Sequence, residues 1–64
     1  MNDNIDYERL REDLMSYFGA AMQIYPVAVM DLVKVERATE EQLVELAIQT
    51  GFNLSNYIQS NKTL

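Results

Sequence analysis

The chain has no cysteine and no histidine, and only one proline and two glycines in 64 residues. Without cysteine there are neither disulfides nor thiolate zinc sites to staple a small fold, and without histidine the commonest metal ligand is gone. The same two absences remove most nucleophilic chemistry. Ser16, Ser55, Ser60 or a threonine would have to act without an imidazole base, and neither a glycine-rich phosphate loop nor a nucleophile elbow occurs. No alternating D-x-D-x-D run with its turn glycine is present to bind calcium. The carboxylate pairs, Glu8 with Glu12 and Glu41 with Glu45, fall on helix faces expected to be solvated. These gaps point to a chain that is not an enzyme, with no catalytic residues, cofactor, metal or small-molecule substrate.

Positive charge is scarce as well. Five basic against ten acidic side chains give a formal charge of −5, the wrong sign for nonspecific binding to nucleic acid and a suitable one for solubility. Long apolar runs are missing too. The most apolar stretch, Ile24 to Val35, is broken by Pro26, Asp31 and Lys34 and falls short of the ~20 residues a membrane-spanning helix needs. The opening MNDNID is acidic and has no secretory n-region. A soluble, cytoplasmic protein without a membrane partner is the expectation.

What is present is hydrophobic side chain in excess. The apolar fraction is 48%, including four Met, four Tyr and two Phe, in a chain with room for one domain, residues 1–64. A body of this size buries only about 60% of the surface its unfolded chain exposes, so part of the apolar surface is expected to meet another chain.

The clearest segment is TEEQLVELAIQTGF, Thr39 to Phe52. Thr39 and Gln42 have the spacing of a capping box, with Glu40 and Glu41 at the positive end of the helix dipole. Leu43, Leu46 and Ala47 make an inward stripe that Val44 and Ile48 widen. Gly51 supplies a left-handed stop, and Phe52 can fold back on Ala47 as in a Schellman motif. Earlier in the chain, Asp3 or Asn4 can cap a first helix whose Leu10, Leu14, Tyr17, Phe18 and Ala21 share one face, extended toward its start by Ile5 and Tyr7. The other face carries Glu8, Arg9, Arg11, Glu12, Asp13 and Ser16. Gly19, followed by Ala20 and Ala21, suggests a close helix approach in preference to a bend.

Pro26 drives Tyr25 out of helical geometry, so the first helix should end near Gln23 or Ile24, with Pro26 opening a second. The segment from Val27 to Arg37 fits either a helix or a strand paired across a dimer; the helix is favoured because a lone strand has no partner within one chain. Its connection to the third helix is short enough to imply that those neighbours pack together. Asn53 or Ser55 can then cap a short fourth helix whose Leu54, Tyr57 and Ile58 close the end of the bundle, while Ser60 to Leu64 should fray. The fold class is therefore all-α, a small bundle of three main helices with a short fourth C-terminal helix.

Two functional readings follow. The first is a protein-interaction or self-associating module. Once helices one and three have filled the core, Met22, Tyr25, Val27, Val29, Met30 and Val33 are left as a candidate interface near the Pro26 corner, joined by Met15, and a homodimer is the expected assembly. The second is a DNA-binding regulator. Leu46, Ala47, Gly51, Phe52 and Tyr57, within residues 43–62, resemble a helix-turn-helix, but a reading helix bearing Asn53, Ser55, Asn56, Gln59 and Asn61 would have only Lys62 to meet phosphate. The segments DLMSYFGAAM, YPVAVMDL and LVELA…GF give the chain a resemblance to small helical proteins of Gram-positive bacteria and their mobile elements. That resemblance implies no activity.

Overall fold

The computed structural model describes residues 4–59; the expected cap at Asp3 and the expected fraying of Ser60 to Leu64 lie outside them. The described residues are mostly helical, with three α-helices among them: α1 (Tyr7–Ala21), α2 (Val29–Arg37) and α3 (Glu40–Thr50). Two 3-10 turns complete it, Pro26–Ala28 leading into α2 and Leu54–Tyr57 after α3. Among the described residues, the element after α3 is thus a single turn of four residues in place of the expected fourth α-helix.

Local chemistry accounts for each boundary. Asp6, not Asn4, caps α1, its side chain accepting from the Arg9 amide at 3.1 Å. Asn4 and Ile5 instead run alongside the last described residues. Ile5 forms an isolated antiparallel bridge with Ile58, the Asp6 amide donates to the Tyr57 carbonyl at 2.7 Å, and the Gln59 amide to that of Asn4 at 2.6 Å. α1 stops at Ala21, shortly before the expected end near Gln23 or Ile24, and Tyr25 is extended ahead of Pro26 as the proline ring requires. α3 carries both hydrogen bonds of the capping box, Gln42 N to Thr39 Oγ1 at 3.2 Å and Thr39 N to Gln42 Oε1 at 2.9 Å. It ends with Gly51 at φ 92°, the Gly51 amide donating to Ile48 and the Phe52 amide to Ala47. This is a complete Schellman motif.

The core consists of Leu10 and Leu14 from α1, Val35 from α2, Ala38, Leu43 and Ala47 from α3, and Tyr57. Full burial of the leucines and of Val35 stabilises the fold by roughly 1.5–3 kcal/mol each. Several side chains sit elsewhere than expected. Tyr17 is 49% exposed, and its ring meets Phe18 and Phe52 edge-on at the rim of the core. Ile48 and Ile58 are exposed, and Leu46 is only half-buried. The Val27–Arg37 region is helical after its 3-10 start, and the face it turns inward is Ala28, Leu32 and Val35. Met15 packs against the core and does not belong to the Pro26 corner. Gly19 marks no close approach, since a Cβ there would meet nothing within 4 Å.

Helix α1 packs against both α2 and α3, whereas α2 and α3 approach each other only marginally. The two-residue connection through Ala38 and Thr39 joins them end to end without laying them face to face, contrary to the expectation from its length. The connection is held from α1: the Arg11 guanidinium donates to the carbonyls of Val35 at 2.8 Å and Glu36 at 3.1 Å. Those are carbonyls of the last turn of α2, where a cation complements the helix dipole.

Candidate interaction surface

The Pro26 corner is built so that one small residue anchors it and larger ones project. Tyr25 N donates to Ala21 O at 2.7 Å and Ala28 N to Tyr25 O at 2.8 Å, tying the 3-10 turn to the end of α1. Ala28 is buried beneath the turn. Around it Tyr25 is 65% exposed, Val27 68% and Met30 62%. Val29 and Val33 are also exposed on α2, and Met22 is half-buried at the end of α1. Ile24 extends the apolar surface. Of the six interface residues read from the sequence, five are therefore exposed at the corner and along α2.

Because α2 and α3 diverge, an open groove of about 560 Å³ lies between them. Val33, Lys34 and Arg37 line it from α2, and Glu45, Leu46 and Gln49 from α3. The side chains of Lys34 and Arg37 have no ion-pair or hydrogen-bond partner among the described residues. Sequence reasoning missed this groove. Its only sequence signal was the i, i+4 spacing of Val33 and Arg37 beside Lys34, which reads equally well as ordinary helix surface.

At the opposite end, the Tyr57 hydroxyl donates to Asp13 Oδ2 at 2.5 Å, and the Tyr57 ring stacks on Phe52 with the Arg9 guanidinium 5.7 Å from its centroid. The hydrogen bond to Asp13, burial and the nearby negative charge of Asp13 raise the Tyr57 pKa above its ordinary 10.0, opposed by Arg9. This cluster clasps structure together: its groups are spent on one another.

The chain matches no family model, no curated protein and no solved structure. Among the described residues, no group of three or more acidic, His or Cys side chains is placed to hold a metal ion and no helix is long and apolar enough to cross a membrane. In the segment read as a possible helix-turn-helix, Leu54–Tyr57 is one 3-10 turn and Ile58 is already extended. A turn of that length is too short to lie in a major groove as a reading helix does.

Proposed function

We propose that the chain is a small non-enzymatic interaction module of the cytoplasm that associates with a second copy of itself through the surface around the Pro26 corner. The observation that carries this reading is the concentration of exposed Tyr25, Val27, Val29, Met30 and Val33 on one corner and the adjoining face of α2. Apolar patches flanked by charged residues are the usual mark of a protein contact, and burying several such side chains at ~1.5–3 kcal/mol each offsets much of the cost of association. Met30 adds a flexible side chain suited to an imperfectly matched surface.

Light scattering and sedimentation equilibrium from micromolar to submillimolar concentration test the proposal. The expected result is a mass that rises toward twice that of the chain. In Val27→Asp/Met30→Asp the rise should be lost while the helical circular dichroism is kept, since both side chains are exposed. A wild-type mass that stays monomeric throughout would overturn self-association.

A further inference from the structure

We infer that the groove between α2 and α3 forms the polar half of a twofold contact, in which Lys34 and Arg37 of each copy meet Glu41 and Glu45 of the partner subunit. The inference rests on the self-association reading and assigns its register. Three observations support it. Val33 belongs both to the exposed corner surface and to the groove lining, so the groove continues the apolar surface. Lys34 and Arg37 are exposed and unpartnered among the described residues, in a chain where cations are outnumbered two to one by acids. The walls are also of opposite sign: α2 presents the two cations, while α3 presents Glu45, with exposed Glu41 one turn earlier.

That last arrangement selects the occupant. A twofold contact brings residue i against j and j against i, so a cationic wall beside an anionic wall is complementary to its own copy turned about the axis. A uniformly acidic partner helix would satisfy Lys34 and Arg37 but meet like charge at Glu45, and a basic one would do the reverse. A second copy satisfies both walls. The contact also answers a physical objection to self-association, since two chains of formal charge −5 repel at long range and need local complementarity to set a register.

Charge reversal on one wall at a time provides the test. Lys34→Glu/Arg37→Glu makes both walls acidic, and Glu41→Lys/Glu45→Lys makes both basic. Each variant alone should dimerise about tenfold or more weakly than wild type. Mixed in equal amounts they should form a heterodimer of near wild-type affinity, because each altered wall then faces its complement. The basic-wall variant is especially diagnostic. It reduces the excess negative charge of the chain, so overall repulsion predicts tighter association, whereas the groove contact predicts weaker. Circular dichroism of each variant checks the fold, which should be unchanged because all four positions are exposed. If wild type dimerises and both variants match it, or if the mixture stays monomeric, the groove assignment falls while self-association stands. A monomeric wild type removes both.

Discussion

The hydrogen bond from Tyr57 to Asp13 joins residues 44 apart, the last turn to the middle of α1, and its removal has a calculable effect. Tyr57→Phe keeps the buried ring and its stacking on Phe52 while deleting only the hydroxyl. A hydrogen bond to a charged acceptor contributes about 1.5–3 kcal/mol. Asp13 is half-buried and regains water once the hydroxyl is gone, so the lower part of that range applies, about 1.5–2 kcal/mol. In a domain of this size each kcal/mol moves Tm by ~4–8 °C, so melting should fall by roughly 5–15 °C. The dependence on pH identifies the cause. Well below pH 10 the hydroxyl is protonated in both folded and unfolded chains, so its own titration leaves stability unchanged there. Above that the unfolded chain loses its proton first, because folding raises the Tyr57 pKa, so stability falls as pH rises through the folded value. Urea melts of wild type and Tyr57→Phe at neutral and alkaline pH should therefore show a difference that shrinks with rising pH. A difference under about 0.3 kcal/mol at neutral pH would refute the argument, as would one that grows with alkalinity.

Leu43 is fully buried and Leu46 only half, so Leu43→Ala should cost about 3–5 kcal/mol and Leu46→Ala about half as much, read as urea midpoints; equal midpoints would show that the buried face of α3 is misassigned. The two glycines should respond with opposite signs to alanine. Gly19→Ala, in a helix with open space around it, should raise stability by about 0.5–1 kcal/mol, and Gly51→Ala, at φ 92°, should lower it by about 1 kcal/mol or more.

Local signals in the sequence translated into structure where both partners lie within a few residues. The Thr39–Gln42 box, the Gly51 stop and the Pro26 corner were legible from neighbours in the chain, and the exposure of Tyr25, Val27 and Met30 from the apolar surplus left once the first and third helices fill the core. Contacts across the fold were not. Asp13 and Arg11 read as members of a solvated face, yet one holds Tyr57 and the other holds the end of α2. Nothing near either residue in the chain announces a partner 24 or 44 positions away. Asp6 caps α1 in place of Asn4 because Asn4 and Ile5 are engaged with Ile58 and Gln59, a pairing between distant segments. The α2–α3 groove was hidden for a similar reason. Loop length alone does not say whether two helices lie side by side or diverge over a third.

The bonded segments flanking Asn4 and Gln59 give the fold a further property. Because the Gln59 amide reaches the Asn4 carbonyl at 2.6 Å, the path through the described residues begins and finishes at almost the same point in space. A chain that enters at Asn4 and leaves at Gln59 can thus be spliced into a surface loop of an unrelated host without prising the host apart, as a plug with two adjacent pins. A donor and an acceptor fluorophore attached beside those two residues would sit in near contact while the domain is folded, and separate as soon as Tyr57 leaves its place against α1.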